Sequence, residues 1–188
     1  MQENADPELL WVQQIARGDR DAFEKLYAAY HVRLFRYLFR MVGETSLAEE
    51  LTNDVMVQAW KSAVKFRGDS KASTWLFAIA RNKALNELRR RQPVTVDIEV
   101  ATTVAASTQS PEESVSRDDL QKTMKEAIAQ LSPDHREVID LTFYHGLSYQ
   151  EIAAIMECPL NTVKTRMFYA RKRLQELLEG QGIHGETI

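Results

Sequence analysis

Apolar side chains recur every three or four residues through most of this chain, the spacing of a buried helix face, and over residues 6 to 92 no strand pattern competes with it. Between residues 6 and 92 the pattern predicts a block of helices separated by brief breaks. Phe23, Leu26, Tyr27, Tyr30, Leu34, Tyr37 and Leu38 form a broad apolar stripe and are assigned to the core. A second helix is expected from Ser46 to Val64, capped by Ser46 with Glu49 three residues on. It turns Leu47, Leu51, Val55 and Ala59 inward and leaves Glu49, Glu50, Asp54 and Gln58 to solvent. A third starts near Ser73 and continues through Trp75, Leu76, Ile79, Ala80, Leu85 and Leu88 into Arg89, Arg90 and Arg91, with Trp75 read as core.

The periodicity lapses between residues 93 and 118, a stretch rich in Ser, Thr, Ala and Val that reads as a flexible acidic linker. It carries Asp97, Glu99, Glu112, Glu113 and Asp118 against Arg117 alone. Helical spacing returns over residues 119 to 180. One helix is expected around Leu120 to Gln130 and another from Ser132 to Tyr144, opened by Ser132 with Pro133 at the first helical position. Then comes a helix, a turn and a helix. Ser148 and Glu151 form a capping box, Ile152, Ala153 and Met156 face inward, and Pro159 stops the first of the pair. Asn161 is placed to cap the second or to accept a left-handed backbone; Val163, Met167, Ala170, Leu174 and Leu177 mark its buried face. The tail from Gly180 is expected to fray. The fold class is therefore all-α: two small helical domains joined by a flexible linker, the second containing a helix-turn-helix.

Charge changes the picture because it is segregated. The chain as a whole carries −3, and a slightly acidic balance does not by itself suggest nucleic acid. Yet residues 161 to 174 hold Lys164, Arg166, Arg171, Lys172 and Arg173 with no acid. Residues 81 to 91 hold Arg81, Lys83, Arg89, Arg90 and Arg91 against Glu87. Clustered cations neutralise phosphates, and side chains near the start of a helix can reach base edges in the major groove. The polar loop from Phe66 to Ser73, centred on Gly68 and set just before the first basic helix, is suited to holding unpaired bases.

Other chemistries lack their residues. A single cysteine, Cys158, excludes an intramolecular disulfide, and His31, His135, His145 and His184 show no metal-ligand spacing. Neither a metal nor a cofactor is expected. No nucleophile motif or carboxylate cluster supports a helical hydrolase, so the chain reads as a non-enzyme. The acidic N-terminus is unlike a signal peptide, and no apolar run approaches a membrane span, which points to a cytoplasmic protein without membrane insertion. An autonomous repressor would need a dimer interface, and no heptad or long exposed apolar face offers one; a monomer is expected when free.

Four motifs in order then carry a family resemblance: Ala48-Glu-Glu-Leu-Thr-Asn-Asp-Val-Met-Val-Gln-Ala-Trp60, Phe66-Arg-Gly-Asp-Ser70, Thr74-Trp-Leu-Phe-Ala-Ile-Ala-Arg-Asn82 and Thr162-Val-Lys-Thr-Arg166. Together they cover nearly the whole chain, and the sequence resembles bacterial extracytoplasmic-function (ECF) RNA polymerase sigma factors. The resemblance implies a first domain, residues 6 to 92, that binds the β-prime clamp helices of core polymerase and opens the −10 promoter element. It implies a second domain, residues 119 to 180, that reads the −35 element as duplex, with the β flap as a further polymerase contact and an anti-sigma factor as controlling partner. Glu49, Glu50, Leu51, Asp54, Val55, Val57 and Trp60 fall in the polymerase-binding motif; the acids suit contact, and Leu51, Val55 and Trp60 support them from beneath. Phe66, Arg67, Asp69, Ser70, Ser73, Ile79, Asn82, Lys83, Asn86, Arg89 and Arg90 match the −10 segment, Asn82 as a base reader and the arginines as phosphate contacts. Thr162, Lys164, Thr165, Arg166, Phe168, Tyr169, Arg171 and Arg173 match the −35 segment. Asn161, Tyr169 and Asn86 depart from residues frequent in the family (Gly, Arg and Asp), which leaves base preference open at the last two.

Overall fold

The computed structural model describes residues 7–91 and 115–180, with the side chains of 115–120 left aside. The 93–118 linker assignment and the tail therefore lie largely outside the described residues. The chain divides into two compact units, Met1–Glu99 with Gln150–Glu157 and Val100–Tyr149 with Cys158–Ile188. Every regular element among the described residues is helical.

In the first unit, α1 (Pro7–Ile15), α2 (Arg20–Val42), α3 (Thr45–Ser62) and α4 (Ala72–Arg91) pack around α2, which touches the other three. Asp19 starts α2 by accepting the Ala22 amide at 3.1 Å. Gly43 stops it in a left-handed conformation, φ +74°, and its amide satisfies the Phe39 carbonyl at 2.8 Å. The stripe foreseen on α2 holds at its centre: Leu26, Tyr30, Leu34, Tyr37 and Leu38 are buried, whereas Phe23 and Tyr27 lie at its edge, half-buried. The Tyr30 hydroxyl donates to Glu8 of α1, and burial of the phenol, with that carboxylate beside it, pushes its pKa well above the ordinary tyrosine value. The α1–α2 contact is thus held by a neutral phenol on an acid.

Leu47, Leu51, Val55 and Ala59 are buried on α3 and Glu49, Glu50, Asp54 and Gln58 are exposed, as the periodicity requires. The start of the helix differs from expectation. Thr45 is the first helical residue and Glu44 occupies the cap position without a side-chain cap bond, while the Ser46 hydroxyl donates to the Glu44 carboxylate at 2.8 Å. The chain leaves α3 through a 3-10 turn, Ala63–Lys65.

In the second unit, α5 (Val115–Ala129) and α6 (Pro133–Ile139) both pack on α8 (Leu160–Glu179). α5 begins earlier than the periodicity suggested, inside the stretch read as linker. Ser132 caps α6 as foreseen, accepting the His135 amide at 3.4 Å, with Pro133 following. Arg136 then donates to the Ala129 and Leu131 carbonyls at 2.6 and 3.1 Å, so α6 supplies the partners that the end of α5 lacks. Burial lowers the pKa of that guanidinium below its ordinary value. α6 runs on into a single π turn, Asp140–Tyr144, in which Thr142 donates to the Val138 carbonyl at 2.7 Å.

The second helix pair is α7 (Tyr149–Ile155), directly after Ser148, and α8. Ile152, Ile155 and Met156 are buried. Asn161 neither caps α8 nor takes a left-handed backbone; Pro159 holds the cap position without a side-chain bond, and Asn161 lies in the first turn. The left-handed residue of the turn is Glu157, φ +52°, where a side chain costs about 1–2 kcal/mol that glycine avoids. Glu157→Gly should accordingly stabilise the chain by about 1 kcal/mol, because relief of this conformation outweighs the added freedom of the unfolded chain. A melting temperature raised by a few degrees in thermal denaturation checks this; an unchanged or lower one contradicts it.

Candidate nucleic-acid interface

Rotation of α8 about its own axis decides what its cationic side can meet. Val163, Met167 and Ala170 are fully buried, Leu174 and Leu177 half-buried, and Leu178 takes the last inward position. Their burial turns Lys164, Thr165, Phe168, Tyr169, Arg171, Lys172 and Arg173 to solvent, and leaves Thr162 half-covered. Phe168 and Tyr169 are exposed by 64% and 52%, and their rings meet edge to face at 5.4 Å between centroids. Two aromatic rings thus stand largely outside the core amid lysines and arginines, with the chemistry to meet thymine methyl groups, sugars or bases.

Arg166 stands apart from the other matched residues. It is half-buried, ion-paired with Asp134 of α6, and its other terminal nitrogen sits 3.9 Å from the Cys158 sulfur. It therefore ties the start of α8 to α6 rather than projecting freely, and the pattern of α8 alone could not have shown its partner. Arg173 pairs with Glu176 at 3.1 Å, while Lys164 and Lys172 have no acid partner among the described residues.

The first unit holds the other cationic surface. The loop after α3 contains Gly68 at φ +79°, a conformation that only glycine takes without cost, and an added Cβ would press on Leu9 at 3.3 Å. This tight bend leaves a shallow open concavity of about 230 Å³ lined by Lys65, Phe66, Arg67, Asp69, Ser70 and Trp75. Trp75, assigned to the core, is only half-buried; its ring lies 4.8 Å from Phe66 and tilted 31° to it, so together they form an aromatic wall. Ser73, grouped with the DNA contacts by its motif, is buried at 7% exposure in the first turn of α4 and is removed from the surface set. The indole was missed as a wall because periodicity gives a helix face and not how far an edge residue is covered.

Along α4, Asn82, Asn86, Arg89 and Arg90 are exposed and Ile79 is half-buried. Lys83 is drawn to Asp54 of α3 at 3.3 Å, which joins the matched DNA segment to the matched polymerase segment by one exposed ion pair. On α3, Val57 is 49% exposed beside the acids, Leu51 and Val55 are buried, and half-buried Trp60 packs edge-on against Phe23 at 5.2 Å. The terminal arginines are unequal. Arg90 and Arg91 bond Glu87 at 2.9 and 2.8 Å and Arg91 bonds Glu44 at 2.6 Å, whereas Arg89 has no acid partner among the described residues.

Comparisons with known proteins identify the two helical regions. The model of sigma-70 region 2 matches residues 26–94 and that of sigma-70 region 4 matches residues 121–174. The sigma-H factor of Pseudomonas aeruginosa is 33% identical over 177 residues, 89% of this chain and 92% of that protein. The ECF sigma factor SigW of Bacillus subtilis is 31% identical, over 89% of this chain and 94% of its own. Among solved structures, CnrH in complex with the cytosolic domain of CnrY matches with a TM-score of 0.70 at 26% identity, over 93% of this chain and 99% of that one. The sigma factor RpoE in complex with the anti-sigma factor NepR from Bartonella quintana matches with a TM-score of 0.63 at 33% identity, over 84% and 96%. The fold and the two matched regions are those of a sigma-70-type transcription initiation factor. Within that class, the chain belongs to the ECF RNA polymerase sigma factors, whose members direct polymerase to promoters and are not known as catalytic enzymes. No helix among the described residues is long and apolar enough to cross a membrane, and no metal-holding cluster occurs among them.

Hydrogen bonds from Arg91 hold the Glu44 carboxyl below its ordinary pKa, and those from Arg90 and then Arg91 do the same for Glu87. Since both folded values are lowered, these contacts are intact above the ordinary carboxylate range and are lost as pH falls through the lowered values. Arg91→Ala should raise both carboxyls from their wild-type values, each only part of the way, because Ser46 still donates to Glu44 and Arg90 to Glu87. NMR titration of the two carboxyls reads the rise; unmoved values would show that Arg91 does not hold them.

Proposed function

We propose that the two cationic faces divide promoter recognition, α8 gripping the −35 element as duplex and the loop–α4 surface gripping the melted −10 strand. The observation that carries this reading is the Phe66–Trp75 wall beside the open concavity at the head of α4. A duplex presents stacked bases, so an aromatic-walled hollow beside a basic helix suits a base that has left the stack. Phe66, Arg67, Asp69 and Ser70 surround that base, Asn82 and Asn86 read neighbouring edges, and Arg89 with Arg90 hold phosphates. Lys83 reaches the strand when it leaves Asp54.

Magnitudes explain why the protein needs core polymerase. Extruding a base costs a few kcal/mol, and stacking on an aromatic side chain returns about 1–3 kcal/mol per base. The hollow alone brings the balance near zero. Polymerase binding supplies the surplus, through Glu49, Glu50 and Asp54 of α3 set against basic residues of the β-prime clamp helices, with exposed Val57 as an apolar contact and Leu51, Val55 and Trp60 as support. The second unit adds a contact with the β flap. In α8, Lys164, Thr165, Phe168 and Tyr169 face the bases, Arg171 and Arg173 the backbone, and Arg166 positions the helix through Asp134. An anti-sigma factor that covers these faces would keep the protein from polymerase; support comes from the RpoE structure, solved with its anti-sigma factor NepR, over 96% of that chain.

Transcript starts mapped after overexpression define a promoter, and run-off transcription on it with core polymerase tests the division. Phe66→Ala should weaken open-complex formation by about 1–3 kcal/mol with core binding unchanged. Lys164→Ala should weaken duplex capture and reduce the salt slope by about 0.9. If the protein instead binds duplex tightly alone and adds no transcription to core, it is an autonomous DNA-binding regulator.

A further inference from the structure

Behind the exposed aromatics of α8 lies a second concavity, about 300 Å³, lined by Tyr169, Lys172, Arg173 and Glu176 of α8 and by His135 of α6. Its polar equipment is one-sided. The ammonium, guanidinium and phenol hydroxyl all offer protons, and the imidazole offers at least one; the lone acid, Glu176, is already paired with Arg173 at 3.1 Å. Lys172 has no acid partner among the described residues, and His135 is half-buried at the rim. A hollow that presents donors and holds its one acid in an ion pair suits an acceptor-only group, and a phosphodiester oxygen is such a group.

Position favours the backbone over a base. A recognition helix reads bases with its N-terminal residues. Lys172 lies eight residues beyond Lys164, about 12 Å along the helix at ~1.5 Å per residue and rotated about 80° around its axis at ~100° per residue, so the hollow sits beyond and beside the base-reading turn. With Lys164 among the base edges, the hollow falls at the flanking strand. Resting on the reading of α8 as the duplex-binding helix, we propose that this concavity seats one backbone phosphate of the same duplex. His135, outside the recognition helix and outside the four sequence motifs quoted above, is then a phosphate ligand together with Lys172.

The test uses holoenzyme, reconstituted from the full chain and core polymerase, on the mapped promoter fragment. Lys172→Ala should lower the slope of log affinity against log salt by about 0.9. His135→Ala should lower affinity about fivefold at fixed salt, with His135→Gln, which keeps a donor, recovering part of the loss. A scan of single methylphosphonates, each removing one phosphate charge, should find one position at which wild type and both alanine variants bind alike. If both variants bind as wild type while Lys164→Ala is weakened, the phosphate seat is refuted and the duplex-reading helix stands. If Lys164→Ala is also without effect, the reading of α8 fails with it. If inorganic phosphate shifts the labelled His135 ring in the full chain and the duplex in holoenzyme does not, the hollow is a free-anion site and the proposal is overturned.

Discussion

Everything proposed for the second unit depends on the burial of Val163, Met167 and Ala170, because a helix whose rotation is not fixed presents no constant surface. Three small or flexible apolar side chains at three- and four-residue spacing lock α8 on α6 and α5, and the consequence appears on the opposite side as a row of cations and two bare aromatic rings. Asp134 strengthens the lock by holding Arg166 at the beginning of the helix. The same arrangement recurs in the first unit, where Leu76, Phe77, Ala80 and Ala84 of α4 are buried and Asn82, Asn86 and Arg89 face out. A chain with a net charge of −3 thereby gathers cations on the exposed face of α8 and along the outer face and end of α4.

Acids within these surfaces limit which cations are available. Glu87 and Glu44 engage Arg90 and Arg91, Glu176 engages Arg173, and Asp54 engages Lys83. Exposed pairs of this kind add little to stability and are screened by salt. Their effect on binding is of the same small size, since a phosphate that recruits one of these side chains must first displace a weak partner. Lys164, Lys172 and Arg89, without acid partners among the described residues, are among the cations that pay no such cost.

Much of this was legible in the sequence, for identifiable reasons. Helical periodicity located the buried faces of α2, α3 and α8, since a face is a property of spacing within one segment. Ser132 with Pro133 was read correctly because capping is local. What escaped was non-local or depended on small backbone differences. Ser46 and Asn161 have side chains fit to cap, but Thr45 and Leu160 had already begun their helices, so both residues lie inside the first turn. Trp75 looked like core because it is large and apolar, but it sits at the edge of the helix face, where its ring lines the open hollow with Phe66. Ser73 was grouped with the loop by its motif although its place in the first turn of α4 buries it. The ties of Arg166 to Asp134 and of Lys83 to Asp54 span 32 and 29 residues, which no periodic pattern encodes.

The central claim is that one face meets paired strands and the other a strand already separated. Photocrosslinkers installed singly at Tyr169 and at Phe66 in holoenzyme, followed by mapping of the attached nucleotide in the open promoter complex, test it most directly. The account predicts attachment from position 169 to the upstream duplex, before and after opening, and from position 66 to the non-template strand of the melted element only after opening. Attachment from position 66 to closed duplex, or from both positions to the same element, would contradict it.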